Sequence, residues 1–147
     1  MSGRTAIFPG SFDPFTTGHK SIADRALPLF DKLVIAVGYS EHKHGEWSVE
    51  ERIEHIRHIY AGNPRVEVMA YTGLTADLAR KLGAGFLVRG IRNAIDLEYE
   101  RPMAEINRKL AGVETLLLYT LPEFSSVSSS MVRELRHFGA DISEYIP

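Results

Sequence analysis

The segment from Gly10 to His19 carries residue types that hold phosphate groups in proteins. It follows the apolar run Ala6–Phe8 and reads Gly-Ser-Phe-Asp-Pro-Phe-Thr-Thr-Gly-His. Glycine lets the backbone approach a ligand closely, and the free amides and positive dipole at a helix start attract anions. A histidine at such a helix start can donate a hydrogen bond to a phosphoryl oxygen. The alternative is a glycine-rich turn with a capping histidine, and the chain has neither the G-x-x-x-x-G-K-[ST] nor the G-x-G-x-x-G fingerprint.

Three cationic side chains lie near the ends of predicted strands. Arg89 and Arg92 flank a glycine after a predicted strand at 86–88, where two guanidinium groups can bind anionic oxygens. Lys43 lies in the loop after a predicted strand at 33–37. Because lysine is mostly exposed in proteins, the alternative for Lys43 is a solvated loop residue. The alternative for the two arginines is ordinary surface charge.

Five serines occupy the six positions from Ser125 to Ser130. A predicted final helix follows them, with an apolar side that begins at Met131. Ser128 and Ser129, with the free amides at the start of that helix, form a second predicted anion site. An ordinary N-cap with spare serines explains the same residues equally well.

The elements that must position these residues alternate between strand and helix along the chain. Predicted strands cover 6–8, 33–37, 66–71, 86–88 and 115–119. Apolar strands that alternate with helices are typical of a parallel sheet covered on both faces. We therefore predict an α/β fold: a Rossmann-like, doubly wound parallel sheet of about five strands with helices on both faces. Such sheets bind ligands at the carboxyl ends of their strands, where the candidate residues lie.

The helix predictions rest on capping residues and on the spacing of apolar residues. A helix should begin near His19, and Ser48 opens a capping box for a second helix. Thr75 should cap a third helix, which ends before Gly83. Pro102 interrupts the helical stretch between the fourth and fifth strands. An interior proline lacks the N–H and clashes with the preceding turn, so we expect a kink or a break there.

Composition limits the classes of protein that this chain can be. Its 147 residues fit one domain, 1–147, and its 44% hydrophobic and 24% charged residues are ordinary for a globular protein. A net charge of −2 argues against a partner such as DNA or an anionic membrane. The absence of cysteine excludes thiolate metal sites and disulfides, so any metal must bind oxygen or imidazole ligands or arrive with the substrate, and we name no metal-ligating residue. Without a signal peptide pattern or an apolar run of membrane length, we expect a soluble, cytoplasmic protein.

Four motifs in this order resemble one enzyme family. Thr16-Thr17-Gly18-His19 is similar to the (H/T)-x-G-H signature of the nucleotidylyltransferase superfamily. Together with the segments 8–14, 89–100 and 125–133, it makes the chain resemble the bacterial phosphopantetheine adenylyltransferases along nearly its whole length. That family transfers the adenylyl group of ATP to 4′-phosphopantetheine, with magnesium, giving dephospho-coenzyme A and pyrophosphate in coenzyme A biosynthesis. The resemblance therefore implies an enzyme of this class, with a homohexameric assembly and coenzyme A as feedback inhibitor.

The resemblance also implies a role for individual residues. The implied catalytic residues are His19, Lys43 and Arg92. The implied ATP contacts are Ser11, Phe12, His19, Gly90, Ile91, Arg92, Glu100, Phe124, Ser125, Ser126, Val127, Ser128, Ser129 and Ser130. The implied contacts to phosphopantetheine are Ser11, Lys43, Thr75 and Arg89. For Glu100, which would hold the adenosine portion, the alternative is an i,i+4 ion pair on a helix surface.

Two other functions remain open from the sequence. One is a sister enzyme of the same superfamily, such as a nicotinate-mononucleotide adenylyltransferase or a glycerol-phosphate cytidylyltransferase. The other is a non-catalytic nucleotide-binding protein that kept the fold. Such a protein would be expected to lose the histidine or the lysine first, and this chain has both His19 and Lys43.

Overall fold

A five-stranded, all-parallel sheet forms the centre of the protein. The computed structural model describes residues 3–147. The strands are β1 (Thr5–Gly10), β2 (Lys32–Gly38), β3 (Val66–Tyr71), β4 (Phe86–Ile91) and β5 (Glu114–Tyr119). The helices are α1 (Thr17–Ala26), α2 (Val49–Ile59), α3 (Thr75–Leu82), α4 (Ala94–Ala111) and α5 (Ser129–His137), with short 3-10 turns at Leu27–Leu29, Pro122–Phe124 and Ser143–Tyr145. The strand order β3-β2-β1-β4-β5 confirms the predicted doubly wound α/β fold.

Apolar residues cover both faces of the sheet. Successive residues of a strand point to opposite faces, so Phe8 and Ile35 lie in one core cluster, whereas Ile7 and Val34 lie in the other. The first cluster packs against α1 and α2, and the second includes Leu78 of α3. This explains why the central strands are apolar throughout: neither of their faces meets water.

The order of the strands changes side at β1: β2 and β3 lie on one side of it, and β4 and β5 lie on the other. These two strands pair only at Ala6 with Phe86 and at Ile7 with Leu87. Pro9 has no N–H to donate, so the ladder cannot continue there, and the Arg89 guanidinium instead donates to the Pro9 carbonyl at 2.5 Å. The carboxyl ends of β1 and β4 therefore diverge at the point where a doubly wound sheet binds its ligands.

Strand β4 is longer than its sequence pattern predicts. The apolar run ends at Val88, but β4 continues to Ile91 and pairs with β5 up to Tyr119. Arg89 and Gly90 thus lie within the strand rather than in a loop after it. Backbone pairing with β5, which the local sequence does not reveal, extends the strand. Likewise β1 continues through Pro9 to Gly10 because it pairs with β2 along its whole length.

Two helix predictions need correction. Thr75 does not cap α3: the N-cap is Leu74, and the Thr75 hydroxyl lies 3.0 Å from the Tyr71 hydroxyl. The break considered at Pro102 is wrong, because helix α4 runs without interruption from Ala94 to Ala111, whereas the alternative of a kink stays a prediction. Pro102 and Glu98, the residue whose carbonyl loses its partner, are both exposed, so water can satisfy that carbonyl.

The other helix signals agree with the structure. The Ser48 capping box is formed as predicted, and Gly83 ends α3 with a φ of 65°, in the left-handed region that favours glycine. Helix α1 begins at Thr17, two residues before the predicted start at His19. Among residues 3–147, the structure has no helix that is long and apolar enough to cross a membrane.

Candidate active site

A cleft of about 350 Å³ opens where β1 and β4 diverge. We call it the central cleft; Ser11 and His19 line it beside β1, Arg89 and Arg92 beside β4, and Ser128 beside α5. Its apolar walls include Phe8, Ile22 and Val127. The topology thus brings together residues that are more than one hundred positions apart in the sequence. The candidate phosphate-binding residues of three separate motifs share one surface.

The start of α1 fixes the orientation of the His19 ring. Thr16 is the N-cap of α1, and its hydroxyl accepts a hydrogen bond from the His19 backbone N–H at 3.3 Å. In return, the Thr16 backbone N–H donates to Nδ1 of His19 at 3.0 Å. This reciprocal pair is a capping box in which histidine takes the usual place of glutamate. Because Nδ1 is the acceptor, the proton of the neutral ring lies on Nε2, and His19 is a hydrogen-bond donor to the cleft.

His19 is a neutral donor rather than a cation in the ligand-free protein. Its ring stacks on Phe15, at 5.6 Å between ring centroids, and meets the edge of Phe12 at 5.0 Å. Burial among these rings, together with the positive charges of Arg89 and Arg92, lowers the pKa of His19 to about 4. The histidine therefore offers its Nε2 proton across the physiological pH range without carrying charge.

Arg89 and Glu100 form a partly buried ion pair between β4 and α4. Nε of Arg89 donates to Oε1 of Glu100 at 2.8 Å, and Nη2 donates to Oε2 at 2.8 Å. Burial alone would lower the pKa of Arg89, but the hydrogen bonds and charge of Glu100 raise it above its ordinary value. The surface i,i+4 pair considered for Glu100 is wrong, because its partner lies on a neighbouring strand. The pair places a fixed cation and its counter-ion along the wall of the cleft.

Arg92 is held at the rim of the cleft by the first turn of α4. Its backbone N–H and its Nε donate to Oδ2 of Asp96 at 2.8 and 3.1 Å. Burial would raise the pKa of Asp96, but these bonds and the charge of Arg92 lower it below its usual value. Gly90 lies where a Cβ atom would come within 2.9 Å of Ile22 Cγ1, so only glycine lets α1 pack this closely on β4. Ile91 is buried in the sheet and does not line the cleft.

The serine-rich segment divides into two halves. Ser128 is the N-cap of α5 and accepts from the Met131 backbone N–H at 3.1 Å, and Ser129 donates to the Pro14 carbonyl at 2.8 Å. The residues from Val127 to Ser130 line the central cleft, with the first turn of α5 facing it. The residues 124–126 do not line it and belong to the preceding 3-10 turn and its end. The N-cap interpretation is thus confirmed, and the second anion site stays a prediction for the half that lines the cleft.

Two further clefts meet the central cleft at Ser11. A side cleft of about 290 Å³ runs along β4 past Arg89, Thr75 and Asn107. A loop cleft of about 740 Å³ contains Lys43, which lies in the exposed loop after β2. Ser11 lines all three clefts. The structure therefore places Thr75 and Lys43 outside the central cleft, each in a space that opens into it beside Ser11.

Comparison with known proteins decides the family. The family model described as Cytidylyltransferase-like matches residues 7–135. A phosphopantetheine adenylyltransferase of Bacteroides thetaiotaomicron is 53% identical over 144 residues, covering 98% of this chain and 95% of that protein. The corresponding protein of Porphyromonas gingivalis is 50% identical over 147 residues, covering 100% and 96%, and that of Leuconostoc citreum is 46% identical over 143 residues, covering 97% and 90%. This chain belongs to the phosphopantetheine adenylyltransferase family.

Solved structures agree on the fold of this adenylyltransferase family member. A bifunctional NMN adenylyltransferase/ADP ribose pyrophosphatase from Francisella tularensis superposes with a TM-score of 0.74, at 18% sequence identity. The match covers 99% of this chain and 45% of that chain, so this chain spans less than half the length of the bifunctional protein. At this identity the likeness shows the shared fold alone.

The sequence interpretation missed three residues that support the adenylyltransferase site through hydrogen bonds to its backbone. Arg52 is buried, and its Nη1 donates to the Ser11 carbonyl at 2.7 Å. Asp13 is buried and accepts from two backbone N–H groups of the loop that contains Lys43. Arg133 donates to the Asp13 carbonyl at 2.7 Å. One signal was present in the sequence: Arg52 lies four positions before Ile56, on the apolar face of α2, where a charged residue needs a specific partner.

Phe12 has a backbone conformation that the sequence also did not reveal. It is a non-glycine residue with a φ of 48°, in the left-handed region that side chains with a Cβ rarely adopt. Its ring is buried against Phe8 and Phe15, which offsets the cost of that conformation. The turn leaves Ser11 exposed at the junction of the three clefts.

Proposed function

We propose that this protein transfers the adenylyl group of ATP to 4′-phosphopantetheine, giving dephospho-coenzyme A and pyrophosphate. The observation that carries the proposal is that full-length relatives named phosphopantetheine adenylyltransferase share about half of the residues with this chain. The central cleft supports it with a neutral histidine donor, two arginines and the start of α5 on one surface.

The reaction needs alignment more than proton transfer. A phosphate oxygen of 4′-phosphopantetheine is ionised near neutral pH and attacks the α-phosphorus of ATP directly. The bond from the α-phosphorus to the bridging oxygen breaks, and pyrophosphate leaves with the electron pair. No general base is required, and the protein must instead hold both phosphates in line and stabilise the charge that develops on the α-phosphate. This matches a site without a catalytic acid–base pair.

Each candidate residue has a role that its position supports. The Nε2–H of His19 donates a hydrogen bond to an α-phosphate oxygen, and Arg92 contributes positive charge at the rim of the same cleft. The start of α5, from Val127 to Ser130, and the Ser11–Phe12 backbone receive the remaining phosphate oxygens of ATP. Residues 90 and 91 support this surface from within β4, and residues 124–126 precede it.

The second substrate extends from the Ser11 junction into the neighbouring clefts. Its phosphate lies near Ser11, between Arg89 and Lys43, and its arm follows the side cleft towards Thr75. Glu100 faces the nucleotide from the same side, where its pairing keeps Arg89 in place. A single hydroxyl that lines all three clefts suits a residue that contacts both substrates.

We propose that magnesium enters the site with ATP. Within residues 3–147, the structure has no group of three or more His, Asp or Glu side chains that could hold a metal ion. The central cleft is lined by hydroxyls, guanidinium groups and two carboxylates, and each carboxylate, on Glu100 and on Asp96, accepts a hydrogen bond from an arginine. We propose that the ATP phosphates and water bind the Mg²⁺, which is a common arrangement for this ion.

Assembly, regulation and location are further parts of the proposal. Helix α4 exposes an apolar stripe of Ile95, Tyr99, Met103, Ile106 and Leu110, with exposed fractions of 45% to 78%. A stripe of this kind supports self-association, and the family resemblance favours a homohexamer. Coenzyme A contains the phosphopantetheine arm, so it can compete for the same clefts as a feedback inhibitor. An enzyme that consumes ATP is expected in the cytoplasm.

The test is a product assay with two acceptors. Purified protein is incubated with ATP, Mg²⁺ and either 4′-phosphopantetheine or nicotinate mononucleotide, and pyrophosphate and the adenylylated product are measured. We expect product with 4′-phosphopantetheine only. Product with nicotinate mononucleotide alone would move the chain to the sister activity, and no product above a heat-treated control would favour a non-catalytic binding protein.

A further inference from the structure

Asp13 connects the end of β1 to the loop that carries Lys43. Its carboxylate accepts hydrogen bonds from the backbone N–H groups of Glu46 at 2.8 Å and Trp47 at 2.9 Å. The side chain is buried although it is an acidic residue, and acidic residues are rarely buried without partners. Both of its partners lie in the loop 39–48 between β2 and α2.

The loop is held at both sides of Lys43. On one side, the Lys43 backbone N–H donates to the Ser40 carbonyl at 3.2 Å and closes a tight turn. On the other side, only two residues separate Lys43 from Glu46, the first partner of Asp13. Lys43 itself is exposed, so the contacts of the loop on either side of it determine where its side chain starts.

The space around the Asp13 carboxylate is filled by the loop backbone. A Cβ atom on Gly45 would lie 2.5 Å from Oδ2 of Asp13, far inside normal contact. Gly45 does not have a positive φ, so the close approach to Asp13 is the reason for glycine at this position. The contact therefore requires both the Asp13 carboxylate and a residue without a side chain at position 45.

Helix α5 contacts the same two loop residues from outside. Nη1 of Arg136 donates to Oε1 of Glu46 at 2.9 Å, and the guanidinium lies 4.6 Å from the centre of the Trp47 ring. One turn earlier, Arg133 donates to the Asp13 carbonyl. The helix whose first turn faces the central cleft thus also supports the loop that carries Lys43.

We propose that Asp13 is a positioning residue, which holds the loop 39–48 through the Glu46 and Trp47 amides and thereby places Lys43 for the acceptor phosphate. The inference rests on the proposed function, because it assigns Lys43 a substrate phosphate. Asp13 itself does not touch the substrate. Its effect on the reaction passes through the backbone of the loop.

Kinetics of Asp13→Asn test the effect on the reaction. The amide keeps one acceptor oxygen but turns an N–H group towards the loop, so one of the two hydrogen bonds is lost. We expect kcat to fall by about tenfold to a hundredfold and KM for 4′-phosphopantetheine to rise, while KM for ATP changes by less than about threefold. Glu54→Gln, which makes the same chemical change on the exposed side of α2, is the control and should behave as wild type. An Asp13→Asn variant with wild-type kinetics would overturn the proposal.

A double variant separates a positioning role from a general structural one. If Asp13 acts through Lys43, then Asp13→Asn with Lys43→Ala should be no slower than Lys43→Ala alone. If the two losses multiply, Asp13 does not act through Lys43 and the proposal is wrong. Gly45→Ala repeats the test without changing charge and guards against an unfolded Asp13 variant. Gly85→Ala is its control, since a Cβ atom there would meet nothing within 4 Å.

Fluorescence tests the contact without any reaction. Trp47 is the only tryptophan of the chain, so its emission reports on the loop alone. We expect Asp13→Asn and Gly45→Ala to shift that emission to the red, because release of the loop exposes the ring, whereas Gly85→Ala leaves it unchanged. Unchanged emission in both loop variants would overturn the inference. A wild-type protein that makes no product would instead refute the proposed function, which the loop variants do not decide.

Discussion

At the scale of single residues, the state of one histidine determines how the site can work. The Thr16 backbone donates to Nδ1 of His19, and burial among Phe8, Phe12 and Phe15 keeps the ring neutral. A neutral imidazole can donate one strong hydrogen bond but adds no charge. Under the proposed function, the positive charge near the α-phosphate therefore comes from groups other than His19, among them Arg92 at the rim of the cleft.

The first prediction concerns the titration of His19. In ¹⁵N-resolved NMR of the ligand-free protein, Nε2 should carry the proton, and the ring should not titrate between pH 5 and pH 8, because its pKa is about 4. The folded-state pKa is lower than the unfolded value of about 6.5. His19 therefore stabilises the fold fully above pH 6.5, and this contribution is lost as pH falls towards 4. A ring that titrates near pH 6.5, or a proton on Nδ1, would contradict this assignment.

At the scale of elements, close packing between α1 and β4 sets the distance between the two halves of the cleft. Helix α1 carries His19, and β4 leads to Arg92. Ile22 of α1 lies directly over Gly90 of β4, with no room for a Cβ atom between them. The relative position of the two candidate catalytic groups therefore depends on a contact that involves no substrate.

The second prediction is that Gly90→Ala separates these elements. Its Cβ atom would overlap Ile22 Cγ1, and overpacking of this kind costs roughly 1–3 kcal/mol of unfolding free energy. We expect that loss in urea unfolding, together with a fall in kcat of about tenfold or more, since the phosphate donors lose their alignment. Ile22→Ala in the Gly90→Ala background should recover part of the stability. If the double variant is as unstable as the sum of both single variants, contact between Gly90 and Ile22 does not set the spacing of α1 and β4.

The sequence alone predicted most of the strands and helices but few of the contacts between them. The apolar runs and caps predicted five strands and the helices between them, because local propensity and burial agree at those positions. The sequence also placed His19 at a helix start and Ser128 at an N-cap. It could not show that Arg89 pairs with Glu100, or that Asp13 holds the Lys43 loop, because partners far apart in the chain make those contacts. For the same reason the sequence did not show that Arg89 and Gly90 lie in a strand, because it is pairing with β5 that extends β4 to include them.

At the scale of the whole molecule, the distribution of charge explains how a weakly acidic protein can bind phosphates. The net charge is −2, yet the central cleft gathers His19, Arg89, Arg92 and the start of α5 on one surface. Small substrates need only these few donors, whereas a long polyanion would need a basic surface. A second surface, the exposed apolar stripe of α4, lies on the helix that holds Arg92 through Asp96.

The third prediction is that this stripe holds copies of the chain together. Ile106→Glu places a charge in its middle, at a side chain that is 49% exposed in the single chain. We expect sedimentation equilibrium to show a smaller assembly for this variant than for wild type, because a charge is costly to bury in an interface. Glu105→Gln, next to it on the exposed part of α4, is the control. An unchanged mass for Ile106→Glu would place the interface elsewhere.

The most direct measurement is single-turnover transfer from ATP labelled on the α-phosphorus, in wild type and in His19→Ala. We expect the label to appear in dephospho-coenzyme A when 4′-phosphopantetheine is the acceptor. His19→Ala should slow that step by about a hundredfold or more and change the Kd of ATP by much less, since a contact that strengthens in the transition state acts on the rate. Label that never reaches the acceptor, or equal losses of ATP binding and rate in His19→Ala, would contradict this function and the role of the central cleft.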